Sequence, residues 1–192
     1  MMSVEHIKLR LVGVGPMLMR SSKLADPLDK TAKALAKVTS KRKKTDADHM
    51  RIAELEYRGA LWLHHGMPCL PQQTVKSVAV DGAKKTKMGE IAKVAFRSEG
   101  AALLQYDGPK TADELWAAER FRHRAVVRVH GSLTVRTRPL FPEWSALIHG
   151  TFLPSMLDRD EIIGFYQTAG LFGLGDYTPE FGRFLVEEVK LE

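Results

Sequence analysis

The sequence predicts an α+β fold, an antiparallel sheet with a helical insertion after its first strand. Residues 6–12 alternate apolar and polar side chains, which is the pattern of a half-buried strand. Residues 120–192 follow the order hairpin, strand, helix, glycine turn and strand, the second half of a split β-α-β domain. Residues 21–70 contain helical patterns. We therefore expect residues 1–192 to form a single domain with 21–70 as an insertion.

Composition places the chain among ordinary globular proteins and excludes several classes. Its 192 residues are 44% hydrophobic and 27% charged, which is enough for one substantial core. No apolar run approaches the roughly 18 residues that span a membrane, so no membrane partner is expected. The one cysteine, Cys69, excludes an internal disulfide and a cysteine-cluster zinc site. It also favours a cytoplasmic location, where thiols stay reduced.

Charge is divided unequally along the chain. The net charge is +6, but residues 143–192 hold nine acidic and three basic side chains. Residues 1–142 therefore carry a net charge of +12. A basic part of this size predicts a polyanionic partner, which we interpret as nucleic acid. The opposite signs also allow copies of the chain to associate head to tail.

The insertion holds two predicted helices separated by four consecutive cations. Asp26 and Pro27 form a good helix start, with Asp as the N-cap and Pro at the first helical position. Thr45 begins the second helix, whose first turn is acidic. The cations form either a solvated turn or a phosphate-binding finger. They are Lys41, Arg42, Lys43 and Lys44.

The region that follows the insertion predicts a helix, two short strands and a second helix. The first helix, Gln72–Lys85, has a basic end that either contacts phosphate or suits the helix dipole. The cations of that end are Lys84, Lys85 and Lys87. Residues 92–96 and 101–106 are the two strand candidates, and Thr111 begins the second helix with a capping pattern.

Residues 120–138 contain six arginines and two histidines and no acidic residue. They predict two strands, at 125–130 and 133–138, joined as a hairpin. In the second strand, alternation places two arginines on the face opposite the core-facing positions Leu133, Val135 and Thr137. Arginine suits both phosphate contacts and base stacking, so the hairpin is the main candidate binding surface. Its candidate residues are Arg122, Arg124, Arg128, Arg136 and Arg138.

A glycine-rich loop at 170–182 links a predicted helix at 158–169 to a last strand at 183–191. Gly173 and Gly175 permit positive φ and close backbone approach. Exposed N–H groups at these glycines could bind a phosphate, and the loop's aromatic side chains could stack on bases. The alternative interpretation is a helix C-cap followed by an ordinary turn.

The order strand, insertion, helix, hairpin, helix, strand resembles a ferredoxin-like or RRM-like fold. Three local features resemble the RAMP superfamily, which builds CRISPR RNA-guided complexes. They are Gly-Pro-Met-Leu-Met at 15–19, Pro-Cys-Leu-Pro at 68–71 before a helix, and the loop at 170–182. The chain also resembles small phage-encoded proteins that share its segments 136–139 and 173–176. The resemblance implies an RNA-binding protein, either a backbone subunit that polymerises along a guide RNA or a processing nuclease.

The sequence contains no metal-protease, Walker A, EF-hand or dinucleotide motif, so no cofactor is predicted. His123 and His130 in the basic segment are the candidates for a metal-independent ribonuclease, but no paired acid or base is recognisable. The sequence therefore predicts a non-enzymatic protein that binds single-stranded RNA or DNA and assembles along it. The alternatives are a metal-independent endoribonuclease and a phage-encoded inhibitor that binds an RNA-guided complex.

Overall fold

The computed structural model describes residues 3–129 and 131–189, which form an α+β fold with antiparallel sheets. The strands are β1 (Glu5–Gly13), β2 (Met17–Leu18), β3 (Leu63–His64), β4 (Met67–Leu70), β5 (Phe96–Ser98), β6 (Ala102–Gln105), β7 (Arg122–Val129), β8 (Ser132–Phe141), β9 (Ser145–Phe152) and β10 (Phe184–Glu188). The helices are α1 (Lys30–Thr39), α2 (Asp46–Ala60), α3 (Gln72–Lys85), α4 (Gly89–Ala95), α5 (Ala112–Ala117) and α6 (Arg159–Phe172). Two short 3-10 helices cover Ser22–Ala25 and Glu119–Phe121.

The larger sheet has the strand order β10-β1-β9-β6-β4-β3, and β5 also pairs with β9. Strand β1 alternates as its sequence predicts, because Ile7, Leu9 and Leu11 are buried. These side chains share one hydrophobic core with residues of α3 and α6. The two helices cross closely, since the Tyr166 hydroxyl donates to the Val75 carbonyl at 2.8 Å. The core of the molecule therefore lies between this sheet and these two helices.

The smaller sheet has the order β2-β8-β7, so it joins the hairpin β7–β8 to the chain that follows β1. The helical insertion, α1 and α2, lies between β2 and β3 in the sequence. Strands β3 and β4, at the end of the predicted insertion, extend the larger sheet. The hairpin and the insertion are therefore two additions to the larger sheet, and α2 packs against β8.

The predicted start of the first inserted helix is wrong by three residues. Asp29, not Asp26, is the N-cap of α1, and it accepts hydrogen bonds from the N–H groups of Thr31 and Ala32 at 2.7 and 3.0 Å. Asp26 accepts from the Leu28 N–H at 2.8 Å, so its side chain caps the turn that precedes the helix. The second predicted start is confirmed, because Thr45 caps α2 with a full capping box.

Residues 89–95 form helix α4, not the strand predicted at 92–96. Ala92 and Ala95 are buried three residues apart, whereas Val94 between them is exposed, which is helical rather than strand periodicity. A Glu90–Lys93 pair adds support one turn apart. Helix α3 is confirmed with the predicted bounds.

The hairpin and the last strand are confirmed within the described part of the chain. The predicted strand at 125–130 belongs to β7, which begins three residues earlier and ends at Val129. The predicted last strand at 183–191 is β10, which ends at Glu188. His130 and residues 190–192 lie outside the described residues.

Candidate functional site

An open space separates the helical insertion from the hairpin β7–β8, and we call this space the cleft. Its volume is about 1340 Å³. Helices α1 and α2 form one wall. The hairpin forms the other, with Arg124 and Val126 of β7 and residues 133–138 of β8, which belong to both faces of that strand. The volume exceeds the roughly 300–1,000 Å³ of typical small-molecule pockets, so the cleft has room for a segment of a polymer.

A buried carboxylate fixes the hairpin to the insertion at the floor of the cleft. Glu56 on α2 accepts a hydrogen bond from Arg136 Nη1 at 2.6 Å and one from the Thr137 backbone N–H at 3.0 Å. Because Glu56 is almost fully buried, these bonds replace the solvation that its carboxylate has lost. Arg136 therefore has a structural partner, although part of its side chain still faces solvent.

The carboxylate of Asp176, in the loop after α6, fixes a second arginine. Arg138 Nε donates to Asp176 Oδ2 at 2.8 Å, and only 11% of the Arg138 side chain is exposed. Arg20 Nη1 lies 3.5 Å from Asp176 Oδ1, and 67% of the Arg20 side chain is exposed. Of these two cations, Arg20 is the one that a ligand in the cleft can reach.

The predicted cationic finger lies at the end of α1, where internal contacts orient it. Lys41 Nζ pairs with Asp48 at 2.6 Å, and Lys44 Nζ donates to the Lys41 carbonyl at 2.8 Å. The hydrogen bond from Lys41 is the main cause that lowers the pKa of Asp48. Lys44 lines the cleft, while Arg42 and Lys43 are exposed beside it. The finger therefore contributes one cation to the cleft and two to its surroundings.

Cations outnumber acids around the cleft. Among the described residues that line it, Glu56 is acidic and five residues are arginine or lysine, with His49 in addition. The cations are Arg20, Lys44, Arg124, Arg136 and Arg138. A concave surface with this balance focuses positive potential and attracts anions.

Aliphatic side chains occupy the walls between these cations. Leu35 and Ile52 come from the helices, and Val126, Leu133 and Val135 come from the hairpin. The sequence predicted that Leu133 and Val135 face the core, but both are exposed to the cleft. That prediction is wrong because the hairpin extends beyond the body of the larger sheet, so only the part of β8 nearest the sheet is buried.

The other predicted hairpin arginines have different surroundings. Arg124 lines the cleft. The guanidinium of Arg122 lies 4.9 Å from the ring centre of Trp116, a cation–π contact. Arg128 Nη1 donates to the Gly131 carbonyl at 3.1 Å. The hairpin therefore brings three of its five predicted arginines to the cleft, and two of those three are held by buried acids.

The lysines at the end of α3 do not line the cleft. Lys84 and Lys85 line a smaller concavity of about 320 Å³ together with Gly173. Lys84 forms an ion pair within its own helix, and Lys85 Nζ lies 4.3 Å from the ring centre of Phe172. Lys87 is exposed in the turn that follows α3. The structure therefore separates these cations from the finger and the hairpin.

The glycine loop docks on β2. Gly173 is the C-cap of α6 with φ of 83°, and its N–H donates to the Ala169 carbonyl at 2.9 Å. Gly175, with φ of 94°, packs closely against the Leu18 carbonyl. That carbonyl accepts a hydrogen bond from the Asp176 N–H at 2.9 Å. The N–H group of Gly173 is therefore used within the protein, and the loop matches the helix-cap alternative rather than a phosphate cradle at that residue. The loop's role is to place Asp176 beside Arg138.

The candidate catalytic histidine within the described residues packs among aromatic rings. The ring of His123 lies 5.1 Å from that of Phe181 and 6.5 Å from that of Tyr177, measured between ring centres. Its cross-strand partner in β8 is Arg138. These ring contacts orient the His123 side chain.

Sequence reasoning missed three residues of the site. Arg20 and His49 line the cleft, and Glu56 closes its floor. Glu56 had a readable signal, because it stands between the buried residues Leu55 and Tyr57 on the apolar side of α2, where an unpaired acid is rare. Arg20 and His49 had none, since only the tertiary arrangement brings them to the cleft.

Within residues 3–129 and 131–189, no group of three His, Cys, Asp or Glu side chains is arranged to hold a metal ion. No helix in that part of the chain has both the length and the hydrophobicity needed to cross a membrane. Neither a protein-family model nor a curated protein matches the chain.

Proposed function

We propose that this protein binds single-stranded nucleic acid, with RNA preferred, in the cleft and without cleaving it. The observation that carries the proposal is the composition of the cleft, which five cations line. Glu56 pairs with Arg136 and Asp176 pairs with Arg138. The largely exposed Arg20 and Arg124 and the partly exposed Lys44 remain for a ligand. Phosphates of a nucleic-acid strand match this excess of positive charge. Release of their counterions would supply much of the affinity.

The strand order supports the same proposal. Strands β10-β1-β9-β6 are neighbours in that order, and α3 and α6 share one core with them. We interpret this arrangement as a ferredoxin-like β-α-β-β-α-β domain with additional strands at one edge. The insertion follows the first strand of that domain, and the hairpin β7–β8 stands between its second and third strands. Each addition contributes one wall of the cleft, which is consistent with the RAMP-like resemblance and its implied preference for RNA.

The proposal is tested with a variant that removes two reachable cations, Arg20→Ala combined with Lys44→Ala. Binding of fluorescent single-stranded RNA and DNA is measured by anisotropy over a range of salt concentrations. If each side chain contacts one phosphate, the slope of log affinity against log salt falls by about 2. Arg136 and Arg138 are unsuitable for this test, because their buried acid partners would be left unpaired.

A matched control removes two cations of the helical insertion that lie outside the cleft, Lys33→Ala combined with Lys37→Ala. Both side chains are exposed on α1 and neither lines the cleft. The control should keep the slope of the unaltered protein to within about one unit, since distant surface charges act weakly through salt. Absence of binding at low salt, or an equal loss in both variants, would count against the cleft.

We also propose that copies of the protein assemble along the bound nucleic-acid strand. Strand β10 is an edge of the larger sheet with exposed Glu187 and Glu188, and β7 is an edge of the smaller sheet with three arginines. A contact between unlike edges is heterologous, and where its rotation does not close a ring it extends as a row of copies. Light scattering should report masses that grow with oligonucleotide length. A constant mass on long strands would refute assembly while leaving binding intact.

A further inference from the structure

The hairpin wall of the cleft presents large aliphatic side chains to solvent. Val126 and Val135 are direct cross-strand partners, and Leu133 is the next residue of β8 on the same face. Their exposed fractions are 65%, 40% and 68%. A cluster of exposed aliphatic groups on one face of a two-stranded ribbon is characteristic of a surface that a ligand covers.

The opposite wall has the same chemistry. Leu35 on α1 and Ile52 and Ala53 on α2 line the cleft across from the hairpin. None of these side chains has a hydrogen-bond donor or acceptor. These aliphatic patches are therefore able to pack against flat apolar surfaces, while polar side chains such as Thr39, His49 and Thr134 line the cleft beside them.

The cations and the aliphatic walls together indicate which molecule occupies the cleft. Lys44 comes from the helical insertion and Arg124 from the hairpin, while Arg20 follows β2 and lies beside Asp176. Positive charge therefore borders the apolar surface on more than one side. An unpaired strand exposes flat base faces and, on the same chain, a row of phosphates. A duplex hides its base faces by stacking and pairing. An apolar peptide would match the walls but not the surplus of positive charge.

We infer that the bases of the bound strand insert between the two aliphatic walls, while its phosphates contact the surrounding cations. This inference rests on the proposed function and adds the way in which the strand is held. Binding needs bases, because they fill the apolar space. The aliphatic side chains themselves select no particular base, because every base has a flat face and these side chains have no hydrogen-bonding groups.

The experiment compares two oligonucleotides of equal length and equal phosphate number, one with mixed bases and one with consecutive abasic sites. We expect the abasic strand to bind at least about tenfold more weakly, since it lacks the base faces that would bury the aliphatic side chains of the cleft. Both strands should show the same salt slope, because their phosphate contacts are the same.

The matching protein variant is Val126→Thr combined with Val135→Thr, which keeps side-chain shape and strand propensity while adding hydroxyl groups to the wall. It should bind the mixed-base strand about threefold to tenfold more weakly and the abasic strand unchanged, because only bases contact the wall. The control is Val127→Thr, which lies on the other face of β7 and should change neither affinity.

The outcomes separate this inference from the proposed function. If neither strand binds at low salt, the proposed function fails and the inference fails with it. If both strands bind equally with a steep salt dependence, the protein binds phosphates in the cleft and the inference alone is overturned. The inference is also overturned if the wall variant weakens both strands equally, or if Val127→Thr weakens binding as much as the wall variant does.

Discussion

The half of the molecule built on the larger sheet differs from the half that forms the cleft in what holds it together. In the sheet half, large side chains such as Phe96, Phe152 and Tyr166 are fully buried. In the cleft half, α1 buries no residue, and the hairpin exposes aliphatic side chains along one face. Two buried acids, Glu56 and Asp176, hold the hairpin through its arginines.

This difference shows which half supplies the stability of the fold and which half supplies the surface for a ligand. Apolar burial in the sheet half supplies most of the stability, because it removes the largest apolar area from water. The cleft half retains uncovered apolar surface and a surplus of cations, which cost stability in the free protein and are available to a ligand. Ion pairs fix the orientation of the hairpin without filling the space that the ligand needs.

The largest effect that would sharpen this comparison comes from matched truncations in the two halves. Phe152 is the last residue of β9 and its side chain is buried in the core. Phe152→Ala should lower the free energy of unfolding by about 3–5 kcal/mol. Leu133→Ala, on the exposed wall of the cleft, should change it by less than about 0.5 kcal/mol. Urea denaturation followed by circular dichroism measures both. Similar losses in the two variants would mean that the hairpin packs as tightly as the core.

The second effect concerns the acid at the floor of the cleft. Glu56→Ala leaves the Thr137 N–H and the Arg136 guanidinium without their partner, so the free energy of unfolding should fall by about 1–3 kcal/mol. Glu54→Ala is the matched control two residues away, since Glu54 forms more exposed ion pairs worth at most about 1 kcal/mol. Equal stability of the two variants in urea denaturation would show that Glu56 does not anchor the hairpin.

The smallest effect is the response of the insertion to acid. The pKa of Asp48 is lowered, mainly by its hydrogen bond from Lys41. Burial raises the pKa of Glu54, but hydrogen bonds from Arg58 and Arg51 outweigh it and leave that pKa lowered. Because both carboxyls are more acidic in the folded state, their stabilisation is present above about pH 4 and is lost as the pH falls through the lowered pKa values.

The combined variant Asp48→Asn and Glu54→Gln tests this response, because its side chains do not titrate. Its free energy of unfolding should fall less steeply between about pH 5 and pH 2 than that of the unaltered protein. The measurement is a series of urea denaturation curves over that range. Parallel pH profiles would show that the ion pairs of the insertion add no acid-sensitive stability.

Local patterns predicted most of the elements, while the site depended on contacts distant in the sequence. The alternation of β1 and the helix start at Thr45 are local, so both were predicted correctly. The helix at 89–95 was missed because its few apolar residues fit the two-residue period of a strand as well as the 3.6-residue period of a helix. Arg136 and Arg138 were recognised as a pair on one face, but their buried acid partners are 80 and 38 residues away. Spacing within the hairpin cannot reveal such partners.

The most direct test of the central claim is amide hydrogen exchange of the protein with and without a mixed-sequence single-stranded RNA. The claim is that binding belongs to the cleft half and not to the sheet half. We expect slower exchange in α1, α2, β7 and β8 on addition of RNA, with α3, α6 and β10 unchanged on short strands that hold one copy. Slower exchange confined to β1 and β9 or to the end of α3, with the insertion and hairpin unchanged, would contradict the account.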